Sequence, residues 1–224
     1  MAEVYNRERN GDSNKPPKIK LYYTPGSCSF APHILLFEAG LNFEPILVER
    51  RNSSKTILSI NPKGRVPVLV LDNEHVITEV PAILTAIALH VPERKLLGLT
   101  ILETVRVYEW LNWLSGTLHG QAFAGWWRAD RFIEDPTDED KEKLKRKAYK
   151  TIQGCYEMIE AKLSKSKSPF SVGSSMTVVD AFLAVFYRWG CGLGFKMSVY
   201  EKYTELWNAL LERQSVIQAL KYQD

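Results

Sequence analysis

Apolar and polar positions along the chain change their period near residue 95. Before it, short apolar runs are separated by turns and single helices; after it, apolar residues recur at helical spacing to the end. The run IKLYY from Ile19 is β-branched and aromatic and ends in a Pro-Gly-Ser turn, which predicts a buried strand. From Ser29 the spacing of Ile34, Leu35, Phe37 and Ala39 predicts a helix that stops at Gly40. FEPILVE predicts a second strand, and an irregular stretch rich in Arg, Asn, Ser and Lys follows it. NPKGRVP reads as a loop and VPVLVLD as a third strand, with its proline near the start, where a ladder N–H is dispensable. DNEH reads as a hairpin turn, VIT as a short fourth strand, and Glu79 to His90 as a helix with Pro92 just beyond it. A helix between two strands allows a parallel pair and a hairpin gives an antiparallel one. The expected assembly is a four-stranded mixed sheet.

In the second half, ILETVRVYEWLNWLSGTLHGQAF predicts a helix with an apolar stripe at Val105, Tyr108, Leu111 and Leu114. DEDKEKLKRKAYKTIQGCYEMIEAKL predicts a second long helix, charged at first and amphipathic later. SMTVVDAFLAVFYRW is almost wholly apolar and predicts a central buried helix, opened by a capping-box pair of Thr177 and Asp180. VYEKYTELWNALLERQSVIQAL supplies one or two more helices. The division reads as a flexible tail over 1–17, an α/β domain over 18–93 and an all-α helical domain over 94–224.

Composition narrows the function classes. Hydrophobic residues make up 45% and charged residues 25%, ordinary for a globular chain. The net charge of +3, from 29 basic and 26 acidic residues, lacks the basic excess of a nucleic-acid binder. No apolar window is long enough for a membrane span, and the polar N-terminus has no apolar signal core, so the expected compartment is the cytoplasm. Cys28, Cys155 and Cys191 are far apart and form no CxxC pair, which disfavours zinc or a disulfide framework.

Several segments carry candidate chemistry. Cys28 lies in the turn between a strand and a helix, where free N–H groups and the helix dipole favour a thiolate. Cys155 and Cys191, within apolar helical stretches, read as structural. Val66-Pro67 offers a strand-entry backbone: a cis bond there would present the Val66 N–H and C=O to an extended peptide, while a trans bond would make it an ordinary strand start. Thr78 or Glu79 opens a helix straight after a strand. Free N–H groups there can hold a carboxylate, and Glu79 can accept from an ammonium. Asn112 and His119, seven apart, share one face if the helix is regular. Phe123, Trp126 and Trp127 form either core or the wall of an apolar pocket.

Together KLYYTPGSCSFAPH, INPKGRVPVLVLD, TEVPAIL followed by VPERKLL, YEWLNWLSGTLH and TVVDAFLAVFYRW resemble the cytosolic glutathione transferases, most closely the bacterial beta class. The resemblance spans residues 19 to about 220. It implies a thioredoxin-like N-terminal domain followed by an all-α C-terminal domain, glutathione as co-substrate, no metal and a homodimer. It matches Cys28 to the beta-class cysteine beside the glutathione sulfur, and Val66 with Pro67 to the backbone clamp. Glu79 and the Val80 N–H match the γ-glutamyl site, and Asn112 and His119 match residues approaching glutathione, the asparagine from the partner subunit. Ser29 is an alternative thiol donor, Arg51 or Lys55 a substitute for a loop lysine, and Phe30, Phe123, Trp126, Trp127 and Tyr187 the expected electrophile pocket. Three departures stand out: Val80 replaces Gly or Ser, Gly120 replaces a lysine, and the loop between Val48 and Ile60 is short.

The resemblance implies an enzyme that joins the glutathione thiol to an apolar electrophile, in a role such as detoxification or secondary metabolism. Two alternatives remain open at this point. One is a glutathione-dependent isomerase, lyase or thiol-disulfide and peroxide activity; the other is a non-catalytic binding protein on the same fold.

Overall fold

The computed structural model describes residues 18–49 and 56–223. The expected tail over 1–17 and the loop residues Arg51 and Lys55 lie outside them. Strand β1 (Ile19–Tyr23) leads through helix α1 (Phe30–Ala39) to β2 (Phe43–Leu47), which pairs parallel to it. A short helix α2 (Thr56–Ile60) precedes β3 (Val68–Leu71) and β4 (His75–Thr78), both antiparallel. The sheet order is β2-β1-β3-β4, the mixed sheet that the pattern predicts. Gly40 ends α1 at φ 68°, a left-handed conformation in which a Cβ is strained. Asp72 and Asn73 turn the β3–β4 hairpin, both at positive φ. Helix α3 (Val80–His90) then covers the sheet together with α1, burying Ile83, Leu84 and Ile87 against it.

A 3-10 turn (Pro92–Arg94) leads to the helical half. Helix α4 (Ile101–Trp113) widens into a π-helix over Leu114–Phe123 and tightens again in α5 (Ala124–Trp127). A 3-10 turn (Ala129–Arg131) precedes α6 (Asp138–Leu163), α7 (Val178–Gly192), α8 (Glu201–Leu211) and α9 (Gln214–Leu220). Helix α7 is central: every residue from Val178 to Tyr187 is buried. Its capping box is formed as expected, and a second one, Thr137 with Asp140, opens α6.

The stripe expected on α4 is displaced. Val107, Trp110, Leu111, Leu114 and Leu118 face the core, whereas Val105 is 54% exposed and Tyr108 41%. The helix carries two apolar rows, and periodicity cannot say which of them meets this chain's own core. The two halves share one continuous core. Glu38 of α1 accepts from Arg213 Nε at 3.1 Å, from Arg213 Nη2 and from Ser215 Oγ at 2.5 Å. These bonds and ion pair hold its carboxyl below the usual range in spite of its burial. The fold is therefore a mixed α/β domain of thioredoxin-like form followed by an all-α bundle.

Candidate functional site

The site is built around the turn from Thr24 to Ser29. Thr24 Oγ1 donates to the Val48 carbonyl at 2.6 Å, tying the end of β1 to the end of β2. Ser27 Oγ donates to the Thr24 carbonyl at 2.6 Å and closes the turn. Gly26 lies at its apex with φ 69° and is held from the helical half on both sides. Its N–H donates to Gln223 Oε1 at 3.1 Å, and its carbonyl accepts from the Trp189 indole at 2.9 Å.

Cys28 follows this apex. Its thiol lies 3.8 Å from the Val66 carbonyl, across the gap between the turn and the next loop. The Val66-Pro67 bond is cis. Asn61 shapes that loop: its Nδ2 donates to the Arg65 carbonyl at 2.8 Å and its Oδ1 accepts from the Lys63 N–H at 3.1 Å. The expected pKa depression at Cys28 is reversed. The side chain is buried, and desolvation pushes the thiol up to about 12. Glu79 adds to this, while a backbone N–H and the field of Arg131 oppose it without prevailing. Cys28 is therefore a protonated hydrogen-bond donor. Ser29, the alternative donor, is fully buried, with its hydroxyl 2.8 Å from that of Ser27.

Glu79 stands at the junction of β4 and α3 with φ 71°, a strained backbone for a non-glycine residue. Lys63 donates to its Oε1 at 2.6 Å and to Thr78 Oγ1 at 2.8 Å, so the carboxylate already faces an ammonium. Val80 opens α3 with its side chain buried, and the first-turn N–H groups have no intrahelical partner.

His119 sits on the π-helix, its ring 5.5 Å from Trp189, 6.3 Å from Phe186 and 6.5 Å from Phe182. Burial lowers its pKa to about 4, and the fields of Arg131 and Arg65 assist, so the ring is neutral near pH 7. The widened turns separate it from Asn112, which is exposed and bonds back to the Tyr108 carbonyl at 2.9 Å. The seven-residue spacing does not bring the two onto one face, because a π-helix has more residues per turn than the α-helix assumed.

The aromatic residues expected at the pocket lie in different surroundings. Phe123 stacks on Trp127 at 5.1 Å, and both rings meet Trp189 at 4.9 Å. Trp126 faces Tyr149 of α6 instead. Phe30 is buried in the core beneath the Arg188 guanidinium at 4.8 Å. Tyr187 packs on Trp207 of α8, with its hydroxyl 3.1 Å from Thr204. Both were expected in the pocket; here each sits in a packing layer of the core. Sequence reasoning missed Trp189, which links the Cys28 turn to the aromatic cluster. It also missed Arg131, whose field reaches both Cys28 and His119. Its only prior signal was the pair of arginines in RADR, directly after the aromatic run.

Among the described residues there is no group of three or more metal-ligating side chains, and no helix is long and apolar enough to cross a membrane. Comparison with known proteins gives two successive family matches. Residues 17–88 match the N-terminal domain of glutathione S-transferases, and residues 128–221 match their C-terminal domain. The chain is 30% identical over 207 residues to the glutathione S-transferase GstA of Escherichia coli, covering 90% of this chain and 97% of that protein. A Sulfitobacter glutathione transferase homologue solved with bound glutathione superposes with a TM-score of 0.84 at 28% identity, covering 91% of this chain and 97% of the other. A beta-class enzyme from Sphingomonas chungbukensis does so with a TM-score of 0.78 at 30% identity, covering 91% and 98%. With both domain models matched in order on a fold of the same form, this chain belongs to the glutathione S-transferase family.

Proposed function

We propose that this protein binds glutathione and directs its thiolate onto an electrophilic small molecule with an apolar body. The observation that carries the reading is the Cys28 thiol set 3.8 Å from the Val66 carbonyl, in a turn held by Trp189 beside the His119 aromatic cluster. The Val66 backbone, at its bond with Pro67, pairs with the extended tripeptide. Glu79 takes its ammonium, and the Val80 N–H takes the adjoining carboxylate. Lys55 is assigned to the tripeptide as a substitute for the family's loop lysine. Cys28 and neutral His119 then face the sulfur. The glutathione thiol loses its proton to solvent, its sulfur bonds to the electrophilic carbon, and any leaving group departs with its bonding pair. Cys28 donates a hydrogen bond to the thiolate, a role that suits a thiol held protonated and favours conjugation over disulfide exchange.

A beta-class affinity is supported by the Sphingomonas similarity. The thioredoxin-like domain over 18–93 and the helical domain over 94–224 supply the two halves of the site. A cytosolic setting fits the three free cysteines. A homodimer is supported by the second apolar row of α4, where Ile101 is 87% exposed and Leu102 63%, beside Val105 and Tyr108. Asn112, exposed one turn beyond Tyr108, then serves the partner's site. Sedimentation should give the mass of two chains, and Val105→Glu should shift it to one. A monomeric wild type ends the dimer assignment.

The direct test is turnover of 1-chloro-2,4-dinitrobenzene with glutathione. Cys28→Ala and His119→Ala should each lower kcat/KM about 10- to 100-fold, the loss of one hydrogen bond to a charged group. The pH profile gives the sign. His119 titrates near 4 and Cys28 near 12, so between them kcat/KM should rise through one ionisation, that of the glutathione thiol. A stable adduct by mass spectrometry supports conjugation; glutathione recovered unchanged beside an altered substrate supports isomerisation or elimination. Full activity in Cys28→Ala overturns the assigned role.

A further inference from the structure

Two successive residues of the segment after α9 reach back to the turn that carries Cys28. Gln223 is buried, and its Oε1 accepts from the Gly26 N–H at 3.1 Å, across 197 positions of sequence. The other end of the same amide is tied down: Nε2 donates to the Tyr222 carbonyl at 3.2 Å, which leaves the oxygen for Gly26. The backbone brings the side chain there by continuing the helical path. The Tyr222 N–H donates to the Ala219 carbonyl at 3.2 Å, and the Gln223 N–H to the Leu220 carbonyl at 3.0 Å. The Tyr222 ring fixes the segment from the side. It stacks on His33 of α1 at 4.7 Å, meets Tyr23 at the end of β1 edge-on at 5.8 Å and lies 6.0 Å from Phe37. The pair thus touches the strand before the turn, the turn itself and the helix after it.

The turn transmits what happens at Gly26. Only Ser27 stands between Gly26 and Cys28, and both its N–H and its hydroxyl donate to the Thr24 carbonyl, at 3.2 and 2.6 Å. A displaced Gly26 therefore carries Cys28 with it, away from the Val66 carbonyl that lies 3.8 Å from its thiol. Such a shift would also uncover a thiol whose pKa is held up by burial. We propose that Gln223 is a positioning residue: its amide oxygen sets the turn at Gly26 and, through it, the place of the Cys28 thiol. In its consequence for catalysis this rests on the transferase reading above, in which that thiol donates to the glutathione thiolate. A donor must be held in register with the anion it serves, so a turn left free to shift weakens that hydrogen bond.

Alkylation of the full chain by iodoacetamide tests the placement without glutathione. The rate at Cys28, followed by mass spectrometry of its peptide, is divided by the rate at Cys155, which is buried in α6. Gln223→Met keeps the length of the side chain but has no acceptor oxygen. It should raise that ratio about three- to tenfold, the contribution of one hydrogen bond. Gln223→Glu keeps an oxygen for Gly26 and should hold the ratio near that of the wild type. With glutathione and 1-chloro-2,4-dinitrobenzene, Gln223→Met should lower kcat/KM by a similar factor and move its ionisation to higher pH, because the thiolate has a weaker donor. Gln223→Glu should restore both. An unchanged ratio in Gln223→Met overturns the proposal, including one in which both cysteines react faster together, the mark of general loosening. So does a ratio raised equally by Gln223→Glu, or an unchanged pH profile in Gln223→Met where Cys28→Ala alters it. If the wild type turns over nothing, or Cys28→Ala leaves the profile as it was, the transferase reading or the role of Cys28 within it fails separately. The alkylation ratio then decides for Gln223.

Discussion

Asp180→Ala should lower the stability of this protein by about 3–5 kcal/mol, the range for stripping one partner from a buried, charged hydrogen-bond cluster. Asp180 is fully buried at the first turn of α7. Its Oδ1 accepts from the Ser171 N–H at 2.8 Å. Its Oδ2 accepts from the Thr177 N–H at 2.7 Å and from the Thr177 hydroxyl at 3.1 Å. Burial pushes its pKa up, and these donors pull against that push. Alanine removes the acceptor but leaves two N–H groups inside the protein, so the desolvation cost of those donors is no longer offset. Asn keeps one acceptor and should cost less. For a chain of this length each kcal/mol lowers Tm by about 2–4 °C, so the alanine variant should melt roughly 10 °C lower. Denaturant titration checks the figure. A loss under about 1 kcal/mol would mean that the Asp180 cluster contributes little to holding α7.

That cluster was legible because capping is local. Thr177 and Asp180 stand three apart, and the bonds between them lie within the first turn of the helix; the Ser171 contact, nine residues back, had no such signal. Gly40 and the Asp72-Asn73 turn are local in the same way, set by left-handed backbone conformations. The mixed strand directions were also accessible, since a helical crossover allows a parallel pair and a hairpin gives an antiparallel one. The features that escaped depend on phase and on the environment. Gly116 and Gly120 lie inside the π-helix, and no spacing rule announced that the helix would widen there and separate His119 from Asn112. Phe30 and Tyr187 carry large rings that suit either a pocket or a core, and the packing of α1 against α7, and of α7 against α8, puts them in the core. For Cys28, the turn and the dipole argument were correct as local physics. Burial, a property of the whole assembly, then outweighed them.

The same contrast explains why the site needs both halves. The α/β half holds the Cys28 turn, Val66 and Glu79; the helical half holds His119, Phe123 and Trp127. Trp189 bridges them, with its indole N–H on Gly26 and its ring against His119. Gln223, near the end of the chain, grips the other side of the same glycine. Such long-range contacts leave no trace in periodicity. Movement between the halves would act on Cys28 directly through Gly26.

Lowering the pH from 7 to 4 should remove up to about 6 kcal/mol of stability, and His33→Phe should restore about half of it. His33 and His119 both have folded pKa values near 4, lowered chiefly by burial, against an ordinary value of 6.5. The unfolded chain therefore binds these protons first. Each neutral ring contributes stability that is whole above about pH 6.5 and shrinks by about 3 kcal/mol as pH falls to 4. His33 is the more severe case. It is fully buried between Tyr23 and Tyr222, with ring centroids at 4.6 and 4.7 Å, and neither ring nitrogen meets a hydrogen-bond partner among the described residues. Protonation would place an uncompensated charge in that layer and expel Tyr222, loosening the segment through which Gln223 holds Gly26. Phenylalanine preserves the ring stack and cannot charge. Wild type and His33→Phe should differ little at pH 7, with the variant's advantage growing steadily below 6.5. The window separates this effect from the carboxylates: Glu38, with its pKa lowered, keeps its contribution until pH falls below the ordinary value for a glutamate. Chemical denaturation at half-unit steps from pH 7 to 4 provides the readout. Parallel stability curves for the two proteins would show that His33 is not the group that takes up the proton.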